Sequence, residues 1–232
     1  TQSGTVVIDC GSIGSADNAG DLTANALLGK GRDHVDLLIL THFHADHANG
    51  VRRLMGRMPV RHVVLSPECE QTQYYTDVLD ACREQGTTVT YLTENTCFTI
   101  DSLELMLLTP IGTESANERC VLIYGDYGAF EFLVTGDAGS SVERLLVRPY
   151  ELGDMELLVA GHHGSKYSTC DVLLDEITPE YAFISCGAGN SYGHPSSETL
   201  ERLESRGIDV LRTDLDGTIT IRVGNNGEEA NG

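Results

Sequence analysis

Within six residues, the run His42-x-His44-x-Asp46-His47 gathers three imidazoles and a carboxylate. Such donors suit zinc and related divalent ions. A lone surface histidine is ordinarily just solvated, but four donors packed this closely point to metal binding. In an irregular loop, His42 and His44 can face one side. Asp46 and His47, at the start of the next helix, can serve a second ion. Further along come Asp137 in Thr135-Gly136-Asp137, His162-His163 between Gly161 and Gly164, and His194 ahead of Pro195. Asp137 reads as a carboxylate that bridges two ions, the alternative being a turn-forming Asp after Gly. Of the adjacent pair, His162 lies nearer its strand and reads as the ligand, which leaves His163 to face substrate. His194 either opens a helix or contacts substrate and moves a proton. Two ions roughly 3.5–4 Å apart clamp a water and make it hydroxide near neutral pH. Zinc is the first expectation for the ions and manganese the second.

Lys166 is one of only two lysines and follows Ser165 just ahead of a helix. Backbone N–H groups there, with the ammonium, could hold an anionic substrate group; a solvated lysine is the alternative. Asp9 closes the first strand and reads as a hydrogen-bonding support for the site rather than a ligand. Two lookalikes are weak. Gly189-x-Ser191-x-Gly193 has the GxSxG spacing, but Ser191 lies too far past its strand for a sharp strand–Ser–helix turn. Asp214-x-Asp216-Gly217 opens like a calcium loop but lacks the remaining ligands, and reads as a hairpin turn.

The elements that must position these residues follow from the apolar pattern. Strands are expected at Thr5–Ile8, Val35–Leu40, Val60–Leu65, Thr87–Leu92, Cys97–Ile100, Leu103–Leu108, Cys120–Tyr124, Glu131–Thr135, Met155–Ala160, Tyr181–Cys186 and Asp209–Arg212, with a last one at Thr218–Val223. Helices are expected at Asp21–Lys30, Ala48–Arg57, Glu70–Gln85, Ser141–Tyr150, Thr169–Ile177 and Pro195–Arg206. Four apolar strands thus deliver donors just past their carboxyl ends, the edge where open α/β sheets bind ligands. No repeat or linker divides the chain, so one α/β domain is expected over 1–224, with a polar, disordered tail over 225–232.

Charge limits the partners. Asp and Glu number 35 against 15 Lys and Arg, a net of -20. That repels polyanions at long range and argues against broad nucleic-acid binding. A pair of divalent ions reverses the sign locally, so a phosphate-ester substrate stays open. No apolar run is long enough to span a bilayer. The chain opens Thr1-Gln2-Ser3-Gly4 without a methionine, which suggests a processed or excised segment and leaves the compartment unread. Seven cysteines without a CxxC pair read as mostly reduced and structural.

With Thr41 before it, His42-x-His44-x-Asp46-His47 resembles the signature of the metallo-β-lactamase superfamily, and Thr135-Gly136-Asp137 and Gly161-His162-His163-Gly164-Ser165 resemble its later motifs. Ser185-Cys186-Gly187, Asn190-Ser191-Tyr192-Gly193-His194-Pro195 and Arg212-Thr213-Asp214-x-x-Gly217 are similar to the C-terminal soluble domain of ComEC-type competence proteins. The likeness covers nearly the whole chain and is weakest over 67–96. It implies an αββα sandwich with a dinuclear site in the cleft between the sheets. It also implies phosphodiester hydrolysis, with DNA as a substrate and attachment to a membrane channel facing away from the cytoplasm; a free-standing domain would be cytosolic. Carbon-ester, thioester and lactam hydrolysis share the same metal chemistry.

Two departures from the family pattern stand out. Where many members carry a further histidine ahead of the bridging Asp, the stretch Asn117-Glu118-Arg119-Cys120 has none. The first ion is then left with His42, His44 and Asp137, with Asn117 nearby, and a metal-stabilised binding domain without catalysis becomes a third reading. The family's first strand, with its Val-Gly-Gln-Gly-Asp-like turn, is also not found at the start. An iron redox enzyme fits less well, since that branch usually has a carboxylate where His44 stands.

Overall fold

A computed structural model describes residues 1, 3–14, 18–66, 71–110, 115, 117–150, 152–224 and 230–231. β1 (Val6–Ile8), β2 (Leu37–Leu40), β3 (His62–Leu65) and β4 (Thr88–Tyr91) form a parallel sheet in that order. Parallel strands covered on both faces read as unbroken apolar runs. Leu37-Leu38-Ile39-Leu40 is such a run, and all four side chains are buried. The connections are α1 (Ala19–Gly29), α2 (Ala45–Ala48), α3 (Val51–Met55) and α4 (Gln73–Gln85). Asn18 caps α1 by accepting from the Gly20 N–H, and Thr72 caps α4 by accepting from that of Tyr75.

The single helix expected over 48–57 is two helices. The Gly50 N–H donates to the Cys10 carbonyl, 2.9 Å away, instead of continuing the helix. That bond ties the end of β1 to the segment carrying Asp46 and His47.

The second sheet has seven strands: β5 (Thr96–Ile100), β6 (Leu103–Leu108), β7 (Leu122–Asp126), β8 (Glu131–Val134), β9 (Leu157–Val159), β10 (Tyr181–Ile184) and β11 (Asp209–Arg212). β5 to β8 pair antiparallel, and β8 to β11 pair parallel. α5 (Ser140–Val147), α6 (Asp171–Ile177) and α7 (Ser197–Glu204) make the parallel crossovers. Alternation along a strand sends successive side chains to opposite faces. Leu37 and Ile39 pack against Leu105, Leu107 and Ile123 between the sheets. Leu38 and Leu40 join the cluster under α1, α3 and α4, while Leu133, Leu158 and Ala182 join the one under α5 to α7. The layers run helix, sheet, sheet, helix, the αββα arrangement.

The C-terminal hairpin turn is corrected. Thr213–Asp216 is one helical turn, α8, closed by the Gly217 N–H on the Thr213 carbonyl, while Asp216 accepts the Arg212 N–H. β12 (Thr220–Ile221) then pairs with β13 (Ala230–Asn231), not with β11. Of the tail expected to be disordered, 225–229 and 232 lie outside the described residues. Six of the cysteines are free, and Cys69 lies outside the described residues. Among the described residues no helix is long and apolar enough to cross a membrane.

Candidate metal centre

The carboxyl ends of β1 and β2 lie side by side, so Asp9 meets the residue that follows β2. Its carboxylate accepts the Thr41 N–H at 2.8 Å and the Thr41 hydroxyl at 2.6 Å. It also receives His47 Nδ1 at 2.7 Å. Gly11 makes this approach feasible, because a Cβ there would sit 2.5 Å from the Asp46 carbonyl carbon and from the His47 nitrogen. Asp9 holds a positive φ of 57°, a strained conformation for a residue with a side chain, of the kind that clusters at active sites.

These bonds decide the histidine tautomers. The Thr41 hydroxyl gives its proton to Asp9, so at 3.1 Å it accepts from His42 Nδ1–H. His47 Nδ1–H donates to Asp9. His163 Nδ1–H donates to the Ser185 carbonyl at 2.7 Å. All three rings therefore present Nε2, with its lone pair in the neutral form, to the cleft; fixing Nδ1 in this way is how metal-binding histidines are oriented.

Asp137, held 3% exposed after the positive-φ turn at Gly136, stands opposite them. Its Oδ2 lies 3.6 Å from His42 Nε2 and 3.7 Å from His162 Nε2. Its Oδ1 lies 3.1 Å from His47 Nε2 and 3.8 Å from His163 Nε2. His163 Nε2 is also 3.2 Å from Asp46 Oδ2. Yet His42 Nε2, His47 Nε2 and Asp137 Oδ1 are buried without an aligned hydrogen-bond partner. The 3.1 Å pair of His47 and Asp137 is close but not aligned as a hydrogen bond. Buried polar atoms left in this way are costly, unless a shared cation satisfies them.

Spacing supports the same conclusion. Metal–nitrogen distances of about 2.0–2.1 Å in a tetrahedron put neighbouring donors roughly 3.4 Å apart. Two triplets qualify, His42, His47 and Asp137, and Asp46, His47 and His163, with donor atoms in each within 4.8 Å of one another. The donor chemistry and separations fit divalent ions.

The buried ionisable groups of the cleft shift one another strongly. Burial, with the neighbouring His47, lowers the His42 pKa to about 4. Burial also opposes charge on His47, but Asp9 and Asp137 outweigh it and push that pKa up to about 10. Burial would raise Asp137, yet the close approach and charge of His47, with help from His42 and His163, hold it well below the usual carboxylate range. His163 is likewise raised, burial being outweighed by Asp46 and Asp137.

The remaining sequence-derived residues are placed as follows. His44 stands edge-on to His42, ring centroids 4.5 Å apart, and enters neither triplet. It is the N-cap residue of α2 and its backbone is extended. The His162–His163 pair differs from the reading of one ligand and one substrate contact, since both Nε2 atoms approach Asp137. Both residues take left-handed backbone angles, φ 50° and 56°, so the rings meet different oxygens of one carboxylate. Asn117 does lie beside the site, its Nδ2 3.4 Å from His162 Nδ1. His194 has a buried Nδ1 without a partner, and its ring centroid is 5.7 Å from that of His162.

Lys166 is exposed and leans over the Tyr167 ring, while Ser165 is 2% exposed, its hydroxyl accepting from the Tyr167 N–H. Two N–H groups just ahead of α6 are not open to an outside anion. Those of Thr169 and Cys170 are taken at 2.6 and 2.8 Å by the carboxylate of Glu143, which is fully buried.

Three supporting residues escaped the sequence reading. Glu143 ties α5 to the segment after His163. Ser185 offers only a backbone carbonyl, which no side-chain pattern can signal. Thr213 Oγ1 accepts the Cys186 N–H at 2.8 Å and donates to the Cys186 carbonyl at 2.9 Å, fixing the strand end that carries Ser185. Asp214 holds Arg212 with two bonds and receives the Cys186 thiol. The Arg212-Thr213-Asp214 motif thus acts on His163 through Ser185 and Cys186.

An αββα sandwich whose two sheets together present paired His/Asp donor sets at one rim defines a metal-dependent hydrolase class of protein. The chain belongs to the metallo-beta-lactamase superfamily, whose family model matches residues 1–188. It is 31% identical over 201 residues to ComE operon protein 3 of Bacillus subtilis (strain 168), covering 86% of this chain and 26% of that protein. It is 30% identical over 230 residues to Competence protein ComA of Neisseria gonorrhoeae, covering 97% of this chain and 30% of that protein. The chain therefore spans under a third of the length of either relative. Among solved structures, the metallo-beta-lactamase fold protein YhfI from Bacillus subtilis superimposes with a TM-score of 0.58 at 13% identity, over 91% of this chain and 85% of that one. At that identity the likeness speaks for the fold.

Proposed function

We propose that this chain is a metal-dependent phosphodiesterase acting on a nucleic-acid strand. The observation that carries the hydrolase part is the convergence of His42 Nε2, His47 Nε2 and Asp137 Oδ1, buried, unsatisfied and aimed at common points. The choice of a nucleic-acid phosphodiester is supported by the names of the two competence-protein relatives.

An imidazole nitrogen has one lone pair, so His47 can complete only one donor set; a carboxylate has two oxygens, so Asp137 can join both. We assign His42, His162 and Asp137 Oδ2 to a first ion, with His44 and Asn117 beside them. His47, His163 and Asp46, with Asp137 between the two sets, would hold a second. His162 thereby fills the place left by the missing family histidine. When bound, divalent ions, zinc or manganese, would lower the pKa of water and stabilise charge on phosphoryl oxygens.

The chain's own residues do the rest. Asp9 and the Ser185 carbonyl keep the rings in the metal-binding tautomer. Asp46, half-buried at the mouth, is placed to take the proton of the attacking water. Water adds to phosphorus, the bond to the leaving oxygen breaks, and that oxygen takes up the proton that Asp46 accepted, with His194 beside it to assist its departure. Lys166, with the ordered 164–168 turn behind it, balances charge on a flanking phosphate.

The test is elemental analysis of the purified protein, followed by activity with Mn²⁺ or Zn²⁺ on phosphodiester, thioester and lactam substrates. Two ions per chain and phosphodiester cleavage are the expected outcome; cleavage of thioesters or lactams alone would overturn it. A second reading, a metal-stabilised binding domain, draws on the stretch 117–120 having no histidine where many family members carry one. About one tight ion per chain with no ester hydrolysis would favour it.

A further inference from the structure

We propose that Tyr192 is a stacking platform for an unpaired base of the strand bound at the metal centre. The inference rests on the nucleic-acid reading above and adds how a chain of charge -20 could hold such a strand.

Electrostatic tracking of a phosphate backbone needs a groove of unpaired basic side chains. Here six of the thirteen arginines are paired with carboxylates: Arg52 with Glu84, Arg53 and Arg57 with Asp21, Arg61 with Asp36, Arg206 with Asp175, and Arg212 with Asp214. Beyond the metal contacts and Lys166, affinity can also come from an uncharged source. Aromatic stacking is one, and it tolerates every base because each has a π-face.

Tyr192 has the required geometry. Its ring lies nearly parallel to that of His194, 19° off plane with centroids 6.1 Å apart. His194 in turn lies 5.7 Å from His162. His194 meets His162 edge-on and Tyr192 nearly face to face, so the three rings lead out of the site toward the place of a nucleotide next to the one cleaved. Tyr192 remains 68% exposed, so His194 supports one face and the other is open to solvent.

The loop is built to keep it there. Asn190 Nδ2 donates to the Gly187 carbonyl at 2.9 Å and also to the His194 carbonyl, while the His194 N–H donates to Asn190 Oδ1 at 3.1 Å. These bonds fix the backbone that carries Tyr192, so a base can stack there without first ordering the loop. Tyr167 is equally exposed, but Lys166 Nζ sits 5.2 Å over its ring and competes for that face.

The test measures binding of a fluorescein-labelled single-stranded oligonucleotide by anisotropy, in protein loaded with Ca²⁺ to slow cleavage, beside an abasic strand of equal length. Tyr192→Ala should weaken binding of the intact strand about ten-fold, the scale of one stacked base, and Tyr192→Trp should restore it. The abasic strand should bind the native protein as weakly as the intact strand binds Tyr192→Ala. Because stacking carries no charge, the dependence of affinity on salt should be the same for native protein and variant. Equal binding of the intact strand by native protein and Tyr192→Ala would overturn this inference while leaving the phosphodiesterase reading intact. Absence of any oligonucleotide binding or cleavage, alongside hydrolysis of thioesters or lactams, would overturn both.

Discussion

The two sheets furnish the site by different means. The four-stranded sheet gives His42, Asp46 and His47 from one short loop, and it fixes His47 with a charged neighbour, Asp9 at 2.7 Å. The seven-stranded sheet gives Asp137, His162, His163 and His194 from three strand ends. It fixes His163 with a neutral carbonyl and His162 with an amide contact of 3.4 Å. His42 and His47 are buried, while His162, His163 and His194 are only partly so. The histidines of the first side are thus a buried, charge-locked pair, while those of the second form a more exposed rim around the buried Asp137. A hydrolase centre of this kind needs both, because rigid donors fix the ions while the open side must admit the scissile bond.

The comparison can be broken first at its junction. Asp137→Ala removes the carboxylate that serves both sides and should abolish tight binding of both ions. Elemental analysis after dialysis should read well under one ion per chain, and the usual rise in Tm on adding metal should vanish. Retention of two ions would end the assignment of Asp137 as a bridge.

Asp9→Ala comes next. Loss of an oriented partner typically costs about 10–100-fold in metal affinity, and here the upper end is expected because both His47 and Thr41 lose their acceptor. Titration calorimetry of the metal-free protein checks this.

Thr213→Val keeps the side-chain shape and removes the hydroxyl that fixes Cys186. The expected loss is about ten-fold, toward the lower end of the same range, and it should fall on one ion only, with Thr213→Ser restoring it. A loss shared equally by both ions would erase the distinction drawn between the two sheets. The smallest effect belongs to Lys166→Ala: an exposed ammonium in high dielectric is worth about 0–1 kcal/mol. A rise in KM of no more than about five-fold, with kcat unchanged, is the expected result from steady-state kinetics.

Candidate donors could be listed from the chain, because His42, His44, Asp46 and His47 share one loop and Asp137 and His162 each follow an apolar strand, but their grouping could not: His44 enters neither triplet and His163, read as a substrate contact, enters one. Strand ends were legible through the jump from apolar runs to Gly, Thr and His. Helix boundaries near the site were less so. The break between α2 and α3 depends on the Gly50 N–H finding the Cys10 carbonyl, a contact 40 residues away in sequence. The one-turn helix at Thr213–Asp216 was hidden because Asp-x-Asp-Gly is equally good turn chemistry.

What the sequence determined alone was the chemistry: residue types that bind divalent ions, placed where α/β strands end, in a pattern shared with one superfamily. What tertiary structure decided was the division of labour. Whether His162 or His163 meets a given oxygen of Asp137, whether His44 joins a set, and which Nδ1 is engaged all depend on backbone direction and on carbonyls such as that of Ser185. Those groups are identical in every residue, so side-chain identity cannot encode them; only the packing of the two sheets brings the right ones within reach.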